Sequence, residues 1–427
     1  MDRNRSPVLL LIVFAVAFGF LTTATPLFGA PKEKVLHYFG KGNDGSDPVG
    51  GLILDAAGNL YGTTYWGGRN SCYGVGCGTV FRLTPTENGK WTEKVLYNFG
   101  SEGCAPAASL ISDAAGNLYG TATGDDCEDN GTVFRLAPGQ NDSWTYSALY
   151  RFRGGNDGAE PNSSLISDVA GNLYGTTAAG GVFRRGTVFE LERHVNGSWT
   201  EKVLHSFNRK DGYYPIASLI FDASGNLYGT TPGGGASGGG VVFELTPNED
   251  GAWNEKVLHN FINNGKDGHS PAGVLIFDAS GNLYGTTENG GSHDDGTAFE
   301  LTPGANGRWK ERVLYSFDGK DGAGISGGLI FDAAGNLYGT ASLGGDGGYG
   351  CDDLGCGTAF VLKPAAHGKW TESVLHYFES TRSGGNYSPG FGVISDPAGN
   401  LYGTTLGGGC GGSGGGGQCG TVFKIAP

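Results

Sequence analysis

One phrase returns seven times along the chain: an Asp, two variable residues, and then Gly-Asn-Leu-Tyr-Gly-Thr. The copies begin 54 to 64 residues apart, at Asp55, Asp113, Asp168, Asp222, Asp278, Asp332 and Asp396. A short apolar run precedes each Asp and Leu-Tyr follows, which predicts two strands joined by a tight turn. The Asp carboxylate can accept backbone N–H groups there, and the Gly three residues later can adopt a positive φ. We therefore expect a repeat architecture built on one hairpin.

Two further phrases complete each repeat. Gly-Thr-Val-Phe, as at Gly78, predicts a third strand, and Val-Leu-x-x-Phe, as at Phe99, predicts a fourth. A turn containing Gly or Asn, followed in six repeats by Trp, joins these two strands. Four antiparallel strands with apolar positions on both faces are typical of a propeller blade. The predicted fold is all-β: a seven-bladed β-propeller of four-stranded antiparallel blades.

The order of the phrases also predicts how the ring closes. A fourth-strand phrase, ending at Phe39, precedes the first complete repeat, and the last repeat stops after its third-strand phrase. We expect the N-terminal strand to complete the last blade. The alternative, an open array, would leave two unpaired strand edges, which proteins usually avoid.

The N-terminus has the pattern of an export signal. A basic stretch with Arg3 and Arg5 precedes an apolar run over residues 8–20 and small residues at 22–24. We expect a signal peptide at 1–24, a short linker at 25–31 and a single propeller domain at 32–427. An uncleaved anchor is the alternative, but the apolar run is shorter than the roughly 20 residues of a spanning helix. The predicted location is secreted, cell-surface or periplasmic, without a membrane span after signal removal.

Composition bears on partners. Gly occupies 82 of 427 positions, which alone would suggest low complexity, yet β-type apolar runs recur between the glycines. The net charge is -14, and no Lys/Arg stripe is evident that could neutralise phosphates. We therefore expect no nucleic-acid partner. We also expect no cofactor and a monomer.

The repeated Gly-Asn-Leu-Tyr-Gly-Thr and Gly-Thr-Val-Phe phrases resemble the GloVer tandem-repeat family of exported bacterial proteins. That resemblance implies a surface or extracellular location and a repeat architecture, without an established activity. Members often carry C-terminal anchoring signals, whereas Pro427 directly follows the last strand phrase here. The Asp-x-x-Gly-Asn-Leu-Tyr hairpin also resembles that of NHL-type propellers, an analogy that concerns fold alone.

The irregular sequence is expected on one face of the ring. Connections between second and third strands, and between one blade and the next, share that face and vary strongly, whereas the hairpin turns on the other face are uniform. All eight Cys belong to the variable connections, and in an exported chain they predict four disulfides rather than a zinc site. The expected pairs are Cys72 with Cys77, Cys104 with Cys127, Cys351 with Cys356, and Cys410 with Cys419. Such cross-links either limit the entropy of Gly-rich loops or preorganise a binding platform.

Trp66 is the one Trp outside the turn position, and its neighbours are aromatic and cationic. Such a group suits stacking on a sugar or anchoring a protein, although packing against the blade is the equal alternative. The candidate binding residues are Tyr65, Trp66, Arg69, Tyr73, Tyr349 and Tyr387.

The case for catalysis is weak. His37, His205, His259 and His376 share one fourth-strand position with Tyr in other repeats, which indicates a structural role, and we predict no catalytic residues. A metal site in repeat 5 is a secondary hypothesis against ordinary solvated acidic turns. Its candidates, beside Asp267, are His269, His293, Asp294 and Asp295.

The sequence thus favours a non-enzymatic binding or scaffold propeller that presents its variable, disulfide-linked face to a glycan or protein. The alternative is an exported polysaccharide-active hydrolase or lyase with its site on the same face.

Overall fold

A computed structural model describes residues 32–41, 43–70, 72, 74–100, 103–124, 127, 129–345, 355–379, 388–408 and 419–426. These residues form seven four-stranded antiparallel sheets, and one additional two-stranded ladder. The predicted seven-bladed propeller is confirmed. Blades are numbered here by their Asp phrase in chain order. The predicted signal peptide and linker, residues 1–31, lie outside the described residues.

The strands follow one order in every blade, from the innermost short strand to the long outer one. The first strand of the described residues is β1 (Lys32–Tyr38), which belongs to blade 7. Blades 1 to 3 comprise β2 (Ile53–Leu54), β3 (Leu60–Thr64), β4 (Thr79–Pro85) and β5 (Trp91–Asn98); β6 (Ile111–Ser112), β7 (Leu118–Ala122), β8 (Thr132–Pro138) and β9 (Trp144–Arg151); and β10 (Ile166–Ser167), β11 (Leu173–Thr177), β12 (Thr187–Arg193) and β13 (Trp199–Ser206).

Blade 5 adds a short ladder to this pattern, formed by β18 and β21. Blades 4 to 7 comprise β14 (Ile220–Phe221), β15 (Leu227–Thr231), β16 (Val241–Pro247) and β17 (Trp253–Asn260); β18 (Gly268–His269), β19 (Ile276–Phe277), β20 (Leu283–Thr287), β21 (Asn289–Gly290), β22 (Thr297–Pro303) and β23 (Trp309–Ser316); β24 (Ile330–Phe331), β25 (Leu337–Ala341), β26 (Thr358–Pro364) and β27 (Trp370–Tyr377); and β28 (Ile394–Ser395), β29 (Leu401–Thr405) and β30 (Thr421–Ala426) with β1. Within the described residues, short 3₁₀ turns lie at Gln140–Asp142, Gly155–Asp157, Ala305–Gly307 and Ala366–Gly368.

The ring closes as the sequence predicts. Strand β1 pairs antiparallel with β30, with Lys32 opposite Ala426 and Tyr38 opposite Thr421. The outer strand of blade 7 therefore comes from the opposite end of the chain. Across the same junction, Trp91 of blade 1 packs edge-on against Tyr402 of blade 7, with ring centroids 6.2 Å apart.

Each pair of neighbouring blades meets through two Phe rings. One ring lies on the third strand of a blade and the other directly follows the outer strand of the preceding blade, with centroids 4.9 to 5.1 Å apart. The pairs are Phe39–Phe81, Phe99–Phe134, Phe152–Phe189, Phe207–Phe243, Phe261–Phe299, Phe317–Phe360 and Phe378–Phe423. Six of these pairs meet edge-on and Phe317–Phe360 is tilted. Such aromatic pairs bury large apolar areas, so the core of the described residues is distributed over the blade interfaces.

The Asp phrase forms the expected hairpin turn, shown here for blade 6. Asp332 Oδ1 accepts the backbone N–H groups of Ala334 (2.9 Å) and Asn336 (2.8 Å). Its Oδ2 accepts Asn336 Nδ2 (2.7 Å) and Tyr338 Oη (3.1 Å). Gly335 has φ +82°, the left-handed conformation that a glycine adopts without strain. Because every acceptor position of the carboxylate is used, the repeated Asp is a structural residue.

Among the described residues, no helix is long and apolar enough to cross a membrane.

Candidate functional site

The variable connections form what we call the loop face, and a short backbone ladder fixes it within the blades. The loop that enters a blade pairs antiparallel with the loop between that blade's second and third strands. In blade 1, Ser46 N–H donates to Trp66 O (2.9 Å), and Trp66 N–H donates to Ser46 O (3.1 Å). The corresponding pairs in blades 3 to 6 are Ala159–Ala179, Tyr213–Gly233, His269–Asn289 and Ala323–Leu343. The backbone of this loop ladder is constant, while its side chains differ from blade to blade.

The loop ladder is also tied to the preceding blade. The residue after it adopts a left-handed conformation even where it is not glycine, with φ +63° at Tyr214 and +59° at Ser270. This conformation directs Tyr214 N–H to Arg185 O (2.9 Å) and Ser270 N–H to Gly239 O (2.8 Å) of the blade before. A left-handed non-glycine residue persists only where its surroundings compensate the strain. These hydrogen bonds hold the described loop ladder of blades 4 and 5 against the blade before it.

Blade 1 carries the predicted aromatic site. The rings of Tyr65 and Trp66 meet edge-on with centroids 4.8 Å apart, and both side chains are half-buried. Tyr65 packs against a hydrophobic cluster that includes Cys77. Arg69 is exposed, and its backbone N–H donates to Asn98 Oδ1 (2.8 Å). The structure thus brings Tyr65, Trp66 and Arg69 into one loop. The other candidates, Tyr73, Tyr349 and Tyr387, lie outside the described residues.

Two of the expected disulfides are present, Cys72–Cys77 in blade 1 and Cys104–Cys127 in blade 2. They touch across the blade boundary, with Cys72 Sγ 3.4 Å from Cys127 Sγ. The spacing of the cysteines predicts pairs within each blade and does not indicate this contact between blades. Cys356 and Cys419 are also disulfide-bonded, whereas their expected partners, Cys351 and Cys410, lie outside the described residues.

A second aromatic and cationic group lies on the loop face between blades 3 and 4. Arg185 is stacked over the ring of Tyr213, with Cζ 5.5 Å from the centroid. Phe183 is 55% exposed and Tyr214 is 44% exposed. We call these residues, with the exposed Arg184, the blade 3–4 patch. The sequence Val-Phe-Arg-Arg at 182–185, in a Gly-flanked loop, indicates the blade 3 half of this patch. The other half, Tyr213 and Tyr214, comes from the entry loop of blade 4.

Just inside the loop face, the outer strands of neighbouring blades enclose a polar cleft. Between blades 4 and 5 the cleft holds His259 of β17, Asp267 of the following loop and Glu311 of β23. The His259 Nε2 and Asp267 Oδ2 atoms are 3.2 Å apart, and each residue offers a ligand atom within 4.8 Å of the others. Burial, reinforced by the charge of Asp267, raises the pKa of Glu311 to about 7.

The same arrangement recurs at other blade boundaries, with either His or Tyr at the first position. His occurs in His37–Asp44–Glu93 and His205–Asp211–Glu255. Tyr occurs in Tyr150–Asp157–Glu201 and Tyr315–Asp321–Glu372. The sequence showed the shared His/Tyr position, but the Asp and Glu that meet it come from a loop and from the next blade. Those partners could not be identified from the phrase alone.

The structure does not bring the predicted metal-ligand candidates of blade 5 together at one point. His269 Nε2 lies 3.2 Å from Asp294 Oδ1, so these two side chains do meet. The ring of His293 instead contacts its neighbour, with Nδ1 3.0 Å from Ser292 Oγ. Burial raises the pKa of Asp295, and the nearby His293 opposes that rise. Asp267 turns away from this group into the cleft with His259.

Comparisons with solved structures give two examples of similar chains. A gluconolactonase from Xanthomonas campestris is 14% identical, with a TM-score of 0.40 over 72% of this chain and 85% of the other. A protein of unknown function from Dyadobacter fermentans is 12% identical, with a TM-score of 0.47 over 93% of this chain and 100% of the other. No curated protein matches the sequence.

The repeat itself is recognised across most of the chain. Residues 19–198 and 142–351 match the Gloeobacter/Verrucomicrobia repeat. These matches contain the hairpin phrases of blades 1 to 6, whose Asp residues the structure places in equivalent turns. The chain belongs to the Gloeobacter/Verrucomicrobia repeat family.

Proposed function

We propose that this protein is an exported, non-enzymatic binding propeller that holds a glycan or protein partner on its loop face. One observation carries the proposal: equivalent positions of the loop ladder share a backbone geometry but carry different side chains, from Ser46 and Trp66 to His269 and Asn289. A rigid frame with variable side chains suits recognition, because little conformational entropy is lost when a ligand binds.

Two parts of the loop face have the chemistry for such contacts. Tyr65, Trp66 and Arg69 combine aromatic rings with a cation, and the blade 3–4 patch does the same with Phe183 and Arg185. Aromatic rings stack on the apolar faces of sugars, and Trp, Tyr and Arg dominate many protein interfaces. The exposed guanidinium groups of Arg69 and Arg185 can also pair with carboxylate or sulfate groups of a ligand.

Export is part of the proposal. It is supported by the signal-peptide pattern at 1–24 and by the disulfides Cys72–Cys77 and Cys104–Cys127, because disulfides persist in oxidising compartments. Localisation is measured by fractionating cells that express the full chain. Retention of the uncleaved protein in the cytoplasm would contradict it.

The binding function is tested on a glycan array and against secreted proteins, with the native chain and single variants. We expect Trp66→Ala or Phe183→Ala to weaken a detected interaction about fivefold or more, because each removes one aromatic contact of roughly 1 kcal/mol or more. Val195→Ala is the matched control, since Val195 is fully exposed in a turn on the opposite face. Binding that is unchanged in both loop-face variants would rule out these sites.

The glycans that bind on the array also distinguish binding from catalysis. If glycans that bind are also cleaved, the release of new reducing ends is measured over time at catalytic protein concentrations. A steady release would replace the binding function with the hydrolase or lyase alternative.

A further inference from the structure

We propose that His259, Asp267 and Glu311 form a binding site for one divalent transition-metal ion between blades 4 and 5. The three side chains come from β17, from the loop after it, and from β23. An ion held there would connect the outer strands of two blades directly below the loop face.

The donor atoms have suitable spacing. His259 Nε2 and Asp267 Oδ2 are 3.2 Å apart. Two donors on a tetrahedral zinc ion, each bonded at about 2.0 to 2.1 Å, are separated by roughly 3.3 Å. Glu311 completes a group whose ligand atoms all lie within 4.8 Å of one another. Any donor pair that is farther apart would have to close to about 3.3 Å in such a site.

Two carboxylate oxygens in the cleft are available as ligand atoms. Asp267 Oδ1 and Glu311 Oε1 are both buried, and no described residue donates a hydrogen bond to either atom. Asp267 as a whole is 9% exposed. A buried polar atom without a partner costs about 1 to 3 kcal/mol, and an ion bound by both oxygens of Asp267 and by Glu311 Oε1 would remove that cost.

The charge and the ligand types indicate the kind of ion. Two carboxylates and one neutral imidazole balance the charge of a divalent cation. Imidazole together with carboxylate suits zinc or manganese, whereas calcium prefers six to eight oxygen ligands. The His259 side chain is 19% exposed, which leaves a route for an ion to enter from solvent.

The cleft between blades 5 and 6 provides a natural control. Tyr315 takes the place of the His there, and its hydroxyl donates to Asp321 Oδ2 (2.5 Å), with Glu372 alongside. This cleft has the same two acids but a phenol in place of the imidazole. The blade framework accepts Tyr at this position, so His259→Tyr removes one metal ligand through a substitution that the repeat already contains.

The experiment measures zinc bound per chain. The full protein is stripped with a chelator, incubated with zinc sulfate, separated by gel filtration and analysed by inductively coupled plasma mass spectrometry. We expect His259→Tyr and Glu311→Gln each to retain one zinc ion per chain fewer than the native protein, whereas Glu372→Gln retains the native amount. The difference is the readout because His37 and His205 occupy related clefts.

Thermal melting with and without zinc supplies a second measurement. The zinc-dependent rise in melting temperature should be present in the native protein and in Glu372→Gln, and reduced in both cleft variants. Metal-free melting curves establish that each variant folds. A native chain that retains no zinc, or cleft variants that retain as much as the native chain, would overturn the proposal.

Discussion

At the start of each hairpin an Asp carboxylate accepts four hydrogen bonds, whereas in the clefts between outer strands a Glu carboxyl lies beside a second acid. Burial alone would raise the pKa of Asp332, but the side chain and backbone N–H of Asn336 hold it below its usual value. In the cleft, burial and the charge of Asp321 raise the pKa of Glu372 to about 8. The carboxyl groups at the two positions therefore have opposite pKa shifts. Their contributions to the free energy of unfolding change with pH in opposite directions.

The Glu372 shift predicts how stability varies with pH. Its folded-state pKa lies above the unfolded value of 4.5, so its contribution is complete below about pH 4.5 and is lost as pH rises toward 8. The charged groups facing it are Asp318 and Asp321, with the hydroxyl of Tyr315 beside Asp321. We expect Glu372→Gln to reduce the fall in the free energy of unfolding between pH 5 and pH 8.5.

Urea unfolding at several pH values measures this slope. Glu249→Gln, in the exposed turn between β16 and β17, is the matched charge-removing control and should keep the native slope. If Glu372→Gln kept the native pH dependence of the free energy of unfolding, the proton taken up on folding would have to reside on a group other than Glu372.

At the scale of the strand, the blades fit together because one glycine leaves room for one ring. The Gly of Leu-Tyr-Gly-Thr lies against the Phe of the third strand in its own blade. A Cβ atom at Gly229 would be 2.6 Å from Phe243 Cζ. That Phe in turn contacts Phe207 of the preceding blade, so a displacement of the ring is passed to the interface.

Gly229→Ala should therefore destabilise the protein by about 1 to 3 kcal/mol, the usual cost of overpacking a core. Gly100→Ala is the control, because its added Cβ would lie 3.8 Å from Asn70 Nδ2, an ordinary van der Waals distance. Chemical unfolding of both variants gives the comparison. Equal stability of the two would mean that the Phe243 ring moves aside without loss of packing.

At the scale of the whole molecule, closure makes the blades nearly equivalent although the chain ends within one of them. Lys32 lies opposite Ala426, much as Trp91 lies opposite Pro85 where a turn joins β4 to β5. A circular permutant can test this equivalence. A short linker joins Ala426 to Lys32, and new ends open in the turn between β12 and β13.

We expect the permutant to keep native-like stability, because every strand retains its partners. Deletion of residues 32–39 should lower stability by at least about 3 kcal/mol, since it removes β1 and the buried Phe39 and exposes the edge of β30. Thermal melting compares the two. A deletion variant that melts like the native chain would contradict the role of β1 in closure.

The sequence was sufficient for the fold because the repeat reports strand order directly: the Asp turns, the Phe positions and the unpaired strand phrases at each end all follow from spacing. It was insufficient for the clefts, where Glu311 meets His259 only through the lateral packing of two blades. It was equally insufficient for the blade 3–4 patch, since Arg185 and Tyr213 belong to different repeats. Contacts within a repeat are periodic in sequence, but contacts between repeats depend on three-dimensional packing.

The loop ladder recurs in the described loops of blades 1 and 3 to 6. A polymer that carries the same chemical group at regular intervals can engage several blades at once, and it then leaves only when all of those contacts open together. Weak contacts at single blades would in this way add up to slow dissociation, so avidity, rather than one deep pocket, would set the strength of attachment.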